Sequence, residues 1–313
     1  MSTEERPIVV VGSINLDFVT NAEHIPAVGE TVCGNEFQMH PGGKGANQAV
    51  AIARLGYPVK MIASLGSDAP GDQLRGYLQD AGVGIEGVEK VDGSSGVAMI
   101  VVSDRGDNCI VVTPGANAAV TPEVVDRHID LIRQAGLVLT QLEIPLPTIL
   151  HLAELCVRAG VPLMLDPAPA RSLPASLFKL VRWFTPNETE AAFYIGDTHP
   201  GVSASGPSET ARLLLTQGSA GVLLKMGELG AYLADQGFEQ KFAPVPVKVV
   251  DTTAAGDAFN GAFAVGMMLG KTPQESARFA VAASALAVTR AGAQSSMPTR
   301  PEVDKLLASQ VQI

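Results

Sequence analysis

Short apolar runs alternate with stretches of helical spacing along most of this chain. Ile8-Val9-Val10-Val11 closes on Gly12 and reads as a buried strand over Ile8–Gly12. Val59–Ser64, Leu137–Leu142, Pro162–Asp166, Trp183–Thr185 and Gly221–Lys225 read the same way. Between them, apolar residues recurring every three or four positions predict helices over Gly45–Leu55, Gly71–Ala81, Ile149–Ala159, Glu188–Tyr194 and Ser208–Thr216. Ser276 to Ala291, apolar but carrying Arg278 and Arg290, reads as one more buried helix. Short apolar strands separated by helices predict an α/β fold with a central, mainly parallel sheet covered by helices on both faces.

Two stretches break this rhythm. Phe18 to His40 has no helix signal, and Thr31–His40 alternates as a half-exposed strand would. Gly96 to Thr113 places the polar run Asp104-Arg105-Gly106-Asp107-Asn108 between two apolar runs, which predicts a hairpin. Together they would make a small second layer, or simply extra edge strands; periodicity does not choose between these. Asp197–Pro207 reads as a surface loop.

Composition narrows the class. The 313 residues carry 22 Lys+Arg against 32 Asp+Glu, a net charge of −10, with 46% hydrophobic and 17% charged residues. So apolar a chain can bury a core, which excludes disorder. An acidic chain without basic clusters is a poor nucleic-acid binder, because counterion release needs grouped Lys and Arg. No run approaches a membrane span, and MSTEERP lacks a secretory h-region. Cys33, Cys109 and Cys156 are an odd, widely spaced set with no CxxC. A cytoplasmic protein with reduced thiols is expected.

Candidate chemistry concentrates in a few segments. In Asp251-Thr252-Thr253-Ala254-Ala255-Gly256-Asp257, small residues lead into the apolar helix of Phe259 and Phe263. Free amides at a helix start, with the helix dipole, hold an anion without any basic side chain. Asp257 in the first turn suits an ordinary helix start, but beside an anion cradle it makes better sense as a general base. Pro41-Gly42-Gly43-Lys44-Gly45-Ala46-Asn47 is a second glycine-rich helix entry, with Lys44 and Asn47 as polar contacts. It is not a Walker A loop, since Gly45 follows Lys44. Asn15 and Asp17 follow the first strand and, two apart, can point to one side; they suit sugar hydroxyls or a local turn.

Other patterns fail on context. The match Gly82-Val83-Gly84-Ile85-Glu86-Gly87 to a dinucleotide fingerprint follows a helix instead of a strand, and reads better as a cap and turn. No GxSxG occurs, and none of the five histidines has the HExxH spacing, so hydrolase and zinc-enzyme readings have no foothold.

Taken in order, the motifs GSINLD, PGGKGANQAVAIARLG, QLEIP, DPAPAR, TPNETEA, the Gly227/Gly230 loop, DTTAAGDAFNGAF and VTRAGAQSSMP resemble the ribokinase-like (PfkB-type) carbohydrate kinase superfamily over almost the whole chain. The resemblance implies one kinase domain over 1–313, with a small β-sheet lid from about 15–41 and 94–114 that commonly mediates homodimers. It implies transfer from ATP to the 5-hydroxyl of ribose. Fructose, 2-deoxyribose or adenosine are alternative acceptors, and a non-catalytic binding member is a more distant one. GAQSSMP and QLEIP favour ribose.

Residue by residue, the resemblance makes Asp257 the base and Ala254, Ala255 and Gly256 the anion hole. It assigns Asn15, Asp17, Gly43, Lys44, Gly45, Ala46, Asn47 and Glu143, with Asp257, to the sugar. It gives Asn187, Lys225, Met226, Gly227, Glu228, Leu229 and Gly230, with Gly256 and Asp257, to the nucleotide. Glu190 joins the Mg²⁺ environment, and Asp251, Thr253, Ala287, Arg290, Gly292 and Ser296 form a monovalent-cation site, expected to take K⁺. Lys225 departs from the small hydroxyl residue often found there, and Val281 from the polar residue sometimes found near adenine.

Overall fold

The computed structural model describes residues 5–196 and 206–310. Nine strands form the main sheet: β1 (Ile8–Val11), β4 (Val59–Gly66), β5 (Gly84–Val91), β8 (Leu137–Thr140), β9 (Leu163–Leu165), β10 (Trp183–Phe184), β11 (Gly221–Lys225), β12 (Ala231–Asp235) and β13 (Phe238–Phe242). Their order is β13-β12-β11-β10-β9-β8-β1-β4-β5. All neighbours pair in parallel except β11/β12 and β12/β13, which are antiparallel. A second sheet, ordered β3-β2-β6-β7, consists of β2 (Asn15–Ala22), β3 (Gly34–Gly42), β6 (Gly96–Ser103) and β7 (Asn108–Thr113).

Alternate side chains of each central strand enter opposite cores, as a period of two requires. Ile8, Val10, Leu137 and Leu139 pack under α1 (Lys44–Arg54), α2 (Ala69–Asp80), α9 (Ala255–Met268), α10 (Pro273–Ala287) and α11 (Arg300–Gln310). Val9, Val11, Val138 and Leu163 pack on the other face with α3 (Pro122–Arg127), α4 (Ile129–Gln134), α5 (Leu146–Ala159), α6 (Ala175–Phe178), α7 (Glu188–Ile195) and α8 (Gly206–Thr216). The α/β reading and the two covered faces therefore hold. Boundaries move by a few residues; the late helix, for example, ends at Ala287 instead of Ala291.

Three local expectations change. Gly82 turns after α2 with φ +84°, but Gly84 already starts β5, so the segment is half turn and half strand. Strand β3 is exposed on both sides along its first six residues instead of alternating, because none of the described residues covers its outer end. Residues 197–205 of the expected surface loop lie outside the described residues, while Gly206 and Pro207 open α8.

Helix α9 crosses α1 at very short range. A Cβ on Gly261 would sit 2.8 Å from the Ala51 methyl, so only glycine fits there. On its sheet side Phe263, fully buried, meets the Trp183 ring edge-on at 5.2 Å. Phe263→Ala would leave an unfilled hole beneath the helix that carries Asp257. It is expected to cost about 3–5 kcal/mol in chemical denaturation; a loss under about 1 kcal/mol would mean that the α9 face is not fixed by this contact.

Candidate functional site

Parallel sheets bind ligands at the carboxyl ends of their strands, and the polar residues of this chain collect there. Asn15 and Asp17 lie just past β1, Glu143 past β8, Asp166 past β9 and Asn187 past β10, while Lys225 ends β11. An isolated bridge pairs Asn187 with Lys225. The N-termini of α1 and α9 close the site from one face of the sheet.

Asp257 is buried at the first turn of α9. Asn47 Nδ2 donates to its Oδ2 at 3.0 Å, and Gln48 Nε2 donates to its Oδ1 at 2.9 Å. Burial pushes its carboxyl up to about 6, against the opposing pull of Lys44 and with a further push from Asp166. Asp17 is pushed up to about 7, by burial first and then by Glu143 and Asp257. Burial works to lower the Lys44 ammonium, but Asp257, Glu143 and Asp166 together hold it above its ordinary value. Asp257, Glu143, Asp166 and, more weakly, Glu190 thus gather around one lysine in a poorly hydrated recess.

The sugar-side residues are held by their neighbours. Gly43, at φ +86°, lies so close to Asn15 that a Cβ there would be 2.7 Å from the Asn15 amide nitrogen. Asn117 Nδ2 donates to Asn15 Oδ1 at 2.7 Å. Glu143 accepts from Ser13 Oγ at 2.5 Å and from the Lys44 amide at 3.0 Å. Gly45 donates to Ser13 Oγ and Ala46 to the Ser13 carbonyl, and the Ala46 side chain lies inside the core. Gly45 and Ala46 therefore meet the α1 entry through Ser13, with their amides already engaged.

Ala254 adopts a left-handed conformation (φ +57°), alone among the non-glycine residues described. Such a backbone costs of order 1 kcal/mol and concentrates at functional sites. The Ala255 amide donates to Thr252 O at 3.2 Å and Ala258 to Ala254 O at 2.9 Å. The amides of Gly256 and Asp257 have no such partner and no side chain caps them. The Ala254 amide is likewise without a partner, so of the triplet Ala254, Ala255 and Gly256 only Ala255 is engaged, and Asp257 adds one more open donor.

Asn187 and Glu190 form a capping box for α7, with Asn187 N and Nδ2 donating to Glu190 at 2.7 and 3.0 Å. Burial raises the Glu190 carboxyl, against the pull of Lys225. After β11, Gly227–Leu229 make a single tight turn closed by Met226, whose amide donates to Gly230 O at 2.9 Å; Met226 is buried, whereas Glu228 and Leu229 are exposed. A cavity of about 380 Å³ lined by Phe242, Ala243, Val245, Arg278 and Val281 lies beyond this turn. Asp251 accepts from Thr253 N at 2.8 Å and from Gly292 N at 2.7 Å, drawing both loops of the expected cation site together. Ala287 O accepts from Arg290 N, and the Arg290 side chain turns away to Glu302; Ser296 is buried in the following turn.

Sequence reasoning passed over Gln48, Gln141 and Asp166, although all three lie in the motifs it singled out. Gln48 bonds both Asp257 and Asp166, Gln141 bonds Gln48, and Asp166 pairs with Lys225 at 2.8 Å. Their signal was a polar residue inside an otherwise apolar helix or at a strand end.

A buried carboxylate beside open helix-start amides, next to a polar recess, has the makings of a phosphotransferase that acts on a hydroxyl. The pfkB family carbohydrate kinase model matches residues 5–300, and the chain belongs to that family. It is 40% identical to a ribokinase of Bacillus subtilis (strain 168) over 97% of this chain and all of that one. The structure of the Arabidopsis thaliana ribokinase complexed with ribose and ATP superposes with a TM-score of 0.89 at 38% identity, covering 96% of this chain and 98% of that one. Ribokinase from Thermotoga maritima gives 0.88 at 37%, covering 96% and 99%.

The raised Asp17 carboxyl has a cost in the ligand-free protein. The folded chain holds this proton up to about pH 7 and the unfolded chain only to about 4. The contribution of Asp17 to stability therefore falls as pH climbs through that window. Asp17→Asn is expected to be more stable than its parent at pH 8 by on the order of 2 kcal/mol, with the gap closing towards pH 4. Urea denaturation at both pH values measures this; equal stability at pH 8 would contradict the crowding of Asp17, Glu143 and Asp257.

Proposed function

We propose that this carbohydrate kinase transfers the γ-phosphoryl group of ATP to the 5-hydroxyl of ribose. The observation that carries the reading is the Asp257 carboxylate, clamped by Asn47 and Gln48 beside the open amides of Gly256 and Asp257. The sugar would lie among Asn15, Asp17, Gly43, Lys44, Asn47 and Glu143. The nucleotide would lie along Lys225, the Gly227–Gly230 turn and the cavity beside Val281. A carboxyl near 6 is ionised at neutral pH yet more basic than an exposed aspartate, which suits a general base. Asp257 accepts the proton of the attacking hydroxyl, while the free amides and Lys44 neutralise charge growing on the phosphoryl oxygens. Binding both reactants in line supplies much of the remaining rate.

The metal assignments fit the donors present. Mg²⁺ keeps most of its waters and binds mainly through substrate phosphates, so the absence of an acidic cluster among the described residues is compatible with it. Glu190, already fixed by Asn187, would hold it through water, and the ion would supply charge neutralisation on the phosphates. K⁺ would lie against the Asp251 carboxylate and the backbone of Thr253, Ala287, Arg290 and Gly292, with Ser296 behind, steadying the loop that starts α9.

Apolar residues left open on the small sheet, among them Phe37, Met39, Met99 and Ile110, support a lid that pairs two copies of one kinase domain. Three free cysteines fit a cytoplasmic setting, and the net charge of −10 disfavours nucleic acid. None of the described helices is long and apolar enough to cross a membrane. A second acceptor, 2-deoxyribose, is favoured by one relative, a deoxyribokinase of Salmonella typhi that is 36% identical over 96% of this chain and 98% of its own length.

Coupled ADP release over a panel of sugars tests the reading. Ribose should be preferred, K⁺ should exceed Na⁺ as activator, and Asp257→Asn should lose about 10²–10⁴-fold in kcat while staying folded. Near-normal turnover by that variant would remove Asp257 as the base; preference for fructose or adenosine would replace the acceptor. For the lid, Met99→Glu is expected to convert a dimer to monomers in light scattering, and an unchanged mass would place any interface elsewhere.

A further inference from the structure

Lys225 borders the nucleotide in the reading above, which gives its buried charge no task in the transfer itself. Its ammonium lies 2.8 Å from Asp166 Oδ1, with the two side chains 12% and 3% exposed. A Cβ on Gly256 would lie 3.6 Å from that same Nζ, so the ammonium stands over the bare face of a residue whose amide is open. Asp166 is fixed in turn: its Oδ2 accepts from Gln48 Nε2 at 2.8 Å, and this nitrogen also donates to Asp257 Oδ1. Gln141 Nε2 donates to Gln48 Oε1 at 2.5 Å, which settles the amide orientation, since the reverse would turn an oxygen towards two carboxylates. One hydrogen-bonded chain thus joins Lys225 to Asp257.

Burying an ion pair is a poor way to gain stability, because desolvation offsets most of the attraction. A lysine held at a phosphate cradle by a fixed carboxylate is better explained by what it meets there. An ammonium has three donors, and Asp166 occupies one of them. We propose, on the basis of the phosphoryl-transfer reading, that Lys225 is a side-chain cation for the transferred phosphoryl group and that Asp166, tied by Gln48 to Asp257, positions it. Charge growing on the phosphoryl oxygens is then met from one side by the Gly256 and Asp257 amides and from the other by Lys225. Gln48 sets the distance between the cation and the base. No bond is made or broken at Lys225; its contribution is electrostatic.

Steady-state kinetics with ribose and Mg·ATP test this on three variants of the full chain. Lys225→Met leaves Asp166 buried without its partner and is expected to lose stability, so the Asp166→Asn, Lys225→Met double variant, which removes both charges, carries the comparison. Expected for the double variant are a 10²–10³-fold loss in kcat, a ribose KM within about twofold of the parent, and a retained melting transition. Asp166→Asn alone keeps the lysine and is expected to lose about tenfold in kcat. It should also move the acid limb of the kcat/KM profile to lower pH, since the Asp166 charge adds to the proton affinity of Asp257 while Lys44 opposes it. A merely structural pair would move neither the limb nor kcat.

Turnover by the double variant within about threefold of the parent would overturn the role of Lys225. An unmoved acid limb and unchanged kcat in Asp166→Asn would overturn that of Asp166. Absence of ADP release from the unmodified protein with every sugar would overturn the phosphorylation reading itself, a failure visible before any variant is made.

Discussion

The approach of α1 to α9 is the constraint on which the site depends. Asn47 and Gln48 lie on one helix and Asp257 on the other, 210 and 209 positions away in the chain. Their bonds form only because Gly261 and Ala51 let the two helices nearly touch. The same approach aligns two helix N-termini towards one recess, so both dipoles favour negative charge at the place where carboxylates already crowd. A wider crossing would leave Asp257 either solvated, with an ordinary acidity, or buried without partners.

Electrostatics in this recess are local. The chain as a whole is acidic, yet the charges that a phosphate would meet on the proposed reading are Lys44, Lys225 and the open amides of α9. Net charge governs solubility and long-range steering; a desolvated site is ruled by groups within a few ångströms. The carboxylates are not an obstacle to the ligand. Glu143 and Asp257 raise the proton affinity of Asp17, Asp166 raises that of Asp257, and the same carboxylates hold the lysines in place.

Much of this was legible in the sequence because it follows from periodicity. Apolar strands ending at glycine or at a polar residue predicted the parallel sheet, and the end of the first strand marked Asn15 and Asp17, whereas Glu143 and Lys225 came only from the resemblance. Less legible was anything set by contact between distant segments. Gln48 looks like a tolerated polar residue in an apolar helix until Asp166 and Asp257 are brought beside it. The extent of β3 exposure was also hidden, since alternation describes a strand with one covered face, and here neither face of the outer end is covered. In the anion cradle, the engagement of the Ala255 amide by Thr252 O was hidden, because it depends on the left-handed turn at Ala254.

The order in which the groups occur along the chain has a consequence for the protein as it is made. Asn15, Glu143, Asp166 and Lys225 all precede the segment that starts α9. On the proposed reading, a ribosome-bound chain that stops short of α9 would hold most of its substrate contacts but neither the base nor the amides, and would have no means of spending a nucleotide. Competence would then arrive late in synthesis, once α9 can settle against α1 with Phe263 on the Trp183 ring.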